Sequence, residues 1–505
     1  MNNKELKILR SFLNDFIKSE KVNKYLISIP WVHFIRFHPE INKKYSDLFI
    51  QNSFLNRTKI FLKYNFKIFL TLFYQLYKLL LIKKTYFWYG SKRSSKVDVL
   101  FISHLINNEP FTNEEDIYFG KIPSKLQERK INVAVAYINY IKSPFSTYKK
   151  TFNEVSYQKY FFTDSLGFKF EYKIFKSLLN EFYRIKSFRK FYKKKSFENK
   201  VVNHMSKQLL MNGTISNLRL YEQIQLLVKK IKPKNIIVTY EGHAWERIAF
   251  LAARTQLPTI KCISYQHTGI FEHSNSIKIK LQDLYNPDLI CTSGSFTMNE
   301  LRKQKDLVDI EVIEVGSPRG IISKNNLISS NNNTNSCLVI PEGFISECNY
   351  LFEFSLKCAF LNPKINFIWR LHPSLSFDKI LKTNKKYNDL PANIILSNNS
   401  LDQDIIKCKW VLYRGSSAVF KAISFGLYPL YLKLINEISI DPLYEMSKFK
   451  SIVDDPIKFN HSILNIDVKL NSKTLNNRNN LYKDFCSKQF SKINMKLIEE
   501  KLTID

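Results

Sequence analysis

Four short segments place polar side chains capable of chemistry directly after runs of apolar residues. In VTYEGHAWER the run ends at Tyr240, and Glu241, Gly242 and His243 follow. A carboxylate in that position can take a proton from a hydroxyl group, and the glycine permits a tight turn and close approach of a ligand. The other use of Glu241 is to cap the helix that follows. In CISYQHTGI the run leads to Gln266, His267 and Gly269, with His267 lining a cleft or resting in a loop or core. In FIWRLHPS, Arg370 and His372 precede Pro373, which ends the backbone ladder. A histidine there can bind or protonate a phosphate leaving group. In VLYRGSSAVF, Arg414 and Gly415 lead into Ser416 and Ser417 at a helix start, where hydroxyls and free N–H groups suit a phosphate. Ordinary capping is the alternative for such serines. Glu342 and Gly343 of PEGFISE and Arg319 of GSPRG also follow apolar runs and complete the set of cleft candidates.

These residues need strands to carry them. KVDVLFISH and INVAVAYI, then NIIVTY, TIKCISY, LICTSG and EVIEVG, are apolar runs of strand length separated by helical stretches. A second series, CLVIPEG, NFIWRLHP, NIILS, KWVLYRGSS and LYPLYLK, follows the polar stretch NNLISSNNNTNS, which reads as a linker. Continuous apolar strands between helices indicate parallel sheets covered on both faces. The predicted fold is α/β, with two Rossmann-like lobes. A helical extension over residues 1–95 precedes a first lobe over 96–322, which carries a helical insertion at about 148–225. The second lobe spans 336–505. Because ligands of open parallel sheets bind beyond the carboxyl ends of the strands, Glu241, His372 and Ser416 are expected to converge on one cleft.

At 505 residues the chain is long enough for two cores. The formal net charge of +33 attracts polyanions, anionic lipid or phosphate-bearing substrates, although a composition rich in Lys, Asn and Ile weakens that inference. Seven scattered cysteines without a CxxC pair argue for a reducing compartment, without disulfides or structural zinc. No P-loop, GxGxxG or HExxH motif occurs in the sequence. Asp402-Gln403-Asp404 imitates a metal-binding pair but reads as a helix cap, so no metal site is expected.

Phe66 to Ile82 is nearly apolar, with Lys67, Thr71, Gln75 and Lys78 on one helical stripe. That pattern suits a helix lying in a bilayer interface, or one buried in the protein with a single wet edge. The basic, aromatic stretch from Tyr148 to about Lys200 can meet a lipid surface or form a solvated helix pair. A nucleic-acid partner is not expected, because no aromatic RNA-recognition motif accompanies the charge.

In order and lobe, Tyr240-Glu241-Gly242, His372-Pro373 and Ser416-Ser417 resemble motifs of GT-B-type bacterial glycosyltransferases. The likeness is to sialyltransferase and polysialyltransferase-like enzymes that use CMP-activated acidic sugars. TYEGHAWER, YQHTG and GSPR also look like segments of surface-carbohydrate biosynthesis proteins. The resemblance covers roughly residues 97 to 435 and implies a nucleotide-activated sugar as substrate, with no cofactor. It makes Glu241 the base on the acceptor hydroxyl. It puts His372, Ser416 and Ser417 on the donor phosphate, with Arg370, Pro373, Arg414 and Gly415 on the same donor side. The acceptor would be a glycan or lipid-linked glycan at the cytoplasmic face of the cell membrane. The family pattern has two acidic residues before the glycine where this chain has Tyr-Glu, so Glu342 remains a rival base. Transferases of glycerol phosphate or ribitol phosphate from CDP donors share the His-Pro and Ser-Ser pattern, and Kdo transferases of capsule assembly are a third relative.

Overall fold

The structure is a computed structural model that describes residues 3–19, 22–49, 54–81, 88–90, 96–141, 155–194, 196–320, 335–373, 375–469 and 472–503. Two sheets organise them. The first holds β1 (Trp88–Gly90), β2 (Val99–Leu105), β3 (Val133–Asn139), β4 (Gln158–Phe162), β5 (Asn235–Thr239), β6 (Lys261–Gln266), β7 (Leu289–Thr292) and β8 (Glu311–Glu314). Their order is β1-β4-β3-β2-β5-β6-β7-β8, parallel throughout except for β1, which runs antiparallel to β4. The second holds β9 (Ser336–Ile340), β10 (Asn366–Trp369), β11 (Ile394–Leu396), β12 (Trp410–Tyr413), β13 (Tyr428–Leu432) and β14 (Ser451–Val453). Its order is β11-β10-β9-β12-β13-β14, all parallel. The chain therefore has the two Rossmann-like lobes expected from its apolar runs.

Each sheet is packed on both faces, because its strands are apolar on both sides. Val238, Ile236 and Ala134 face one core of the first lobe, and Val99, Val135 and Ile237 face the other. Cys337, Trp369 and Leu412 face one core of the second lobe, and Leu338, Val411 and Tyr413 the other. All seven cysteines are buried and free.

The boundaries differ from expectation in three places. The N-terminal segment does not stand apart. Leu6, Leu9, Trp31, Phe34 and Tyr45 join the first lobe's core, because their apolar side chains match the helices covering that sheet. The expected helical insertion contains β4, a buried strand. Lys159 disguised it in the sequence. Its Nζ is buried and donates to the carbonyls of Pro110 at 2.9 Å and Asn113 at 2.6 Å, which satisfies the charge inside the sheet. Finally, the end of the chain returns to the first lobe. The Met495–Thr503 helix packs Met495, Ile498 and Leu502 beside Val135 and Tyr265, and Asn494 N–H donates to the Val315 carbonyl at 2.9 Å. The Asn-rich linker falls almost wholly outside the described residues.

Strand order reverses between β2 and β5 in the first sheet and between β9 and β12 in the second. At such switch points the loops leaving adjacent strands diverge and leave a crevice. Glu241 follows β5, Glu342 follows β9 and Gly415 follows β12, so the topology brings all three loops to such crevices.

Candidate functional site

The loop after β5 is shaped by Gly242 and Glu246. Gly242 has φ +86°, and a Cβ there would lie 2.4 Å from the Ser276 carbonyl carbon, a conformation and space only glycine fills. Glu246, in the first turn of the Ala244–Gln256 helix, accepts from the N–H groups of Glu241, Gly242 and His243 at 2.7–3.1 Å. Glu246 thus does the capping, and Glu241 is released from it. The Glu241 carboxylate instead accepts from the Thr268 hydroxyl at 2.7 Å and meets His243 Nε2 at 3.2 Å. Burial would raise its pKa, but the hydrogen bond and charge of His243, with His267 and Thr268 nearby, hold it well below the carboxylate range. For His243, burial works downward, but the Glu241 hydrogen bond and the Glu246 charge raise it above the imidazole's usual value. The two form a hydrogen-bonded carboxylate–imidazole pair.

Across the cleft, Glu342 is met by two residues of the N-terminal segment. Arg36 Nη2 donates to it at 3.1 Å, and His38 Nε2 lies 2.6 Å away. The Arg36 guanidinium also lies 3.9 Å from the centre of the Phe271 ring. Burial opposes ionisation of Glu342, but His38 and Arg36 keep its pKa below the usual carboxylate value.

One cavity of about 270 Å³ gathers Glu241, His243, Gln266, Glu342, Gly343, His372, Gly415, Ser416 and Ser417, together with Arg36 and Thr268. A second, of about 650 Å³, is lined by Arg319, His372, Pro373, Ser416, Ser417, Phe420 and Lys421, among others. His372, Ser416 and Ser417 belong to both. The imidazole pKa of His372 is lowered by partial burial against the opposing pull of Glu342. Among the described residues neither serine hydroxyl has a hydrogen-bond partner, and Ser417 does not cap the helix it precedes. Both hydroxyls are available to a ligand.

Four of the sequence candidates lie elsewhere. Arg414 is wholly buried: Nε donates to Glu347 at 2.6 Å, Nη1 to the Leu432 carbonyl at 3.2 Å, and Nη2 to Glu437. Its charge is used up inside the second lobe, because a buried guanidinium requires partners for its donors, and it does not reach the expected phosphate position. Arg370 is likewise taken by Asp404, at 2.9 Å, and by the Asn399 carbonyl, and lines neither cavity. Gly242 shapes its loop without lining either cavity. His267 sits edge-on against Tyr118 with ring centres 4.7 Å apart, and burial pushes its pKa down to about 4. Asp402 pairs with Lys421 at 2.5 Å beside the second cavity, while Ser400 and Gln403 form the helix cap. Among the described residues no group of three His, Cys, Asp or Glu side chains could hold a metal ion.

The residues missed in the sequence are Arg36, His38, Thr268 and Phe271. RFHPEI carried a signal, since His38-Pro39 repeats the His372-Pro373 pair, but it lay in a segment read as helical extension.

No family model matches the chain, and no curated protein does. Among solved structures, the glycotransferase of kitacinnamycin is 10% identical, with a TM-score of 0.47 over 81% of this chain and 99% of that one. The calicheamicin glycosyltransferase CalG4 is 11% identical, with a TM-score of 0.46 over 81% and 98%. The UDP-GlcNAc 2-epimerase from Neisseria meningitidis, bound to UDP-GlcNAc, is 13% identical, with a TM-score of 0.45 over 80% and 99%. At that distance the likeness is one of broad shape and carries no information about substrate.

Proposed function

We propose that the chain is a glycosyltransferase that moves a sugar from a nucleotide-activated donor, best a CMP-activated acidic sugar, onto a hydroxyl of a cell-surface glycan or its lipid-linked precursor. The observation that carries this reading is the shared wall of the two cavities. His372, Ser416 and Ser417 stand between a larger cavity with room for a nucleoside and a smaller one that holds Glu241. A donor phosphate seated at that wall would direct its nucleoside one way and its sugar the other.

In the reaction the bond from the anomeric carbon to the donor phosphate oxygen breaks as the acceptor oxygen bonds to that carbon. The acceptor proton passes to Glu241, which is ionised across the physiological range and already accepts one hydroxyl proton donor, Thr268. Negative charge collects on the leaving phosphate, where the N–H of His372 and the two serine hydroxyls can donate. Glu342 is the weaker candidate for the base, because its carboxylate is only 10% exposed against 36% for Glu241. A lipid-linked acceptor would present its hydroxyl at the cytoplasmic face of the membrane, which is where this reading puts the enzyme.

The test is a donor panel of CMP-sugars, CDP-glycerol, CDP-ribitol and UDP-sugars, each with and without glycan acceptor. Consumption of a CMP-sugar, accelerated by acceptor and yielding a longer glycan, is the expected result. Consumption of a CDP-alcohol alone would move the reading to polyol phosphate transfer. Conversion of a UDP-sugar to its epimer without nucleotide release would overturn transfer altogether.

A further inference from the structure

The Phe54–Leu81 helix is turned inside out for a helix on a protein surface. Of its polar stripe, Thr71 and Gln75 turn inward and Lys67 is exposed. Thr71 is buried, and Gln75 Nε2 donates to Asn212 Oδ1 at 3.1 Å. On the same inward side, Tyr64 packs edge-on against the buried His204, with ring centres 4.9 Å apart. The outward side carries Phe66, Phe69, Leu70, Phe73, Leu76 and Tyr77, each between 47% and 63% exposed. At about 100° of turn per residue these six fall within an arc of roughly 120°. They form one continuous apolar band rather than scattered surface residues, and such bands mark interaction sites.

The charges beside the band identify its partner. Lys63 and Lys67 are exposed about 20° and 60° beyond one edge of it, and Lys59, also exposed, stands on the same four-residue row before Phe66. The basic flank continues on the neighbouring helix. Lys207 lies 5.6 Å from the centre of the Tyr64 ring, and its own pKa is lowered by burial and by the nearby charges of Arg189 and Lys186. Asp47 pairs with Lys63 at 3.0 Å. Among the described residues no helix is long and apolar enough to cross a membrane.

We propose that this face docks flat on an anionic lipid bilayer, with the aromatic and leucine side chains entering the boundary between headgroups and acyl chains and the lysine edge meeting the phosphates. A second copy of the chain is the poorer occupant, since it would bring another strongly basic molecule, at +33, against this one. An anionic surface neutralises the charge that a second copy would double. The proposal does not depend on the sugar chemistry.

The full chain is sedimented with vesicles of phosphatidylcholine alone or with three parts in ten phosphatidylglycerol. Two variants are compared: Phe66→Ser with Phe69→Ser and Phe73→Ser, and Lys59→Gln with Lys63→Gln and Lys67→Gln. The parent should partition at least tenfold more strongly onto the anionic vesicles. The apolar variant should lose binding to both, and the lysine variant should lose the preference for anionic lipid. Binding by the apolar variant equal to the parent's, or a parent that stays in solution with both vesicles, overturns the proposal. So does a concentration-dependent dimer that the apolar variant abolishes. Phe69→Trp serves as an independent probe that leaves the band apolar. Its added emission should be quenched by brominated lipid acyl chains in anionic vesicles, and absence of quenching overturns the proposal as well.

Discussion

His38 Nε2 meets a carboxylate oxygen of Glu342 at 2.6 Å, which ties the N-terminal segment to the first loop of the second lobe. Arg36 joins the same carboxylate. Gly415 leaves room for it, since a Cβ on Gly415 would lie 2.5 Å from the Glu342 carboxylate carbon. A segment that packs on one lobe thus closes the cavity against the other, and the glycine before the paired serines leaves room for the carboxylate of a glutamate from a different strand.

Glu342→Gln should therefore weaken the molecule as well as its chemistry. Removing one member of a largely buried ion pair leaves charges without a partner, at about 3 kcal/mol, read as a lower urea midpoint. Because Glu342 has its folded pKa depressed below the carboxylate value of 4.5, its contribution is present above that value and lost as the pH falls through the folded pKa. Gly415→Ala should act in the same direction by displacing the carboxylate from Arg36 and His38. A Gly415→Ala variant with the parent's urea midpoint and turnover would show that Glu342 relocates freely.

Arg414→Gln should destabilise by about 3–5 kcal/mol, because Glu347 and Glu437 would be left without their cation inside the lobe. The KM for donor should be unchanged in whatever fraction remains folded. A normal melting temperature with a raised KM would return Arg414 to the phosphate.

Much of this was legible in the sequence, and the rest had physical reasons to be hidden. Buried parallel strands announce themselves as apolar runs, so β5, β6, β9, β10 and β12 and the residues after them were readable. The convergence of Glu241, His372 and Ser416 on one cavity follows from strand ends alone. What a strand end does not reveal is which way a charge turns. Arg414 and Ser416 are two residues apart, yet the arginine points into the lobe and the serine into the cleft. Long-range partners were also invisible. Glu342 lies 304 residues from His38, and nothing local in either segment specifies the other.

Acid should unfold the chain early. Burial pushes the pKa values of His33, His104 and His204 down to about 3. The unfolded chain takes up these protons near 6.5, so stability is full above that value and falls as pH drops below it, by about 1.4 kcal/mol per pH unit per histidine. His267, pushed down by burial to about 4, is a fourth, and Glu246, raised by burial to about 7, takes up a proton in the folded state and offsets one of the four. The net loss is about 4 kcal/mol between pH 6 and 5. Urea midpoints at the two pH values measure it, and equal midpoints would mean that these histidines reach water.

Glu241→Gln keeps the shape of the loop, since Glu246 and not Glu241 holds its backbone. Acceptor-dependent transfer should fall by a factor of about 10² to 10⁴, the usual range for a lost base, with donor KM little changed. Glu342→Gln should cost stability first and transfer less. If the two variants exchange these effects, the base is Glu342.

His372 is the residue on which the proposed reaction depends most, because it stands on the wall shared by both cavities. His372→Ala should lower kcat by about a hundredfold or more, the range in which groups stabilising a leaving phosphate contribute. It should leave the melting temperature near the parent's, since the ring is open to the cleft and leaves no packed void behind when truncated. His372→Gln retains a donor and should recover part of the loss if hydrogen bonding to the phosphate is the role, and little if proton transfer is. The pH profile separates these further. Partial burial lowers the His372 pKa below the usual imidazole value of 6.5, so the neutral ring dominates at neutral pH. A hydrogen-bonding role then gives a rate that holds from neutral pH upward. A proton-donating role gives a rate that climbs as the pH falls toward the lowered pKa, in the parent and not in His372→Gln. Parent-like kcat in both variants would remove His372 from the reaction and leave the shared wall to the two serines.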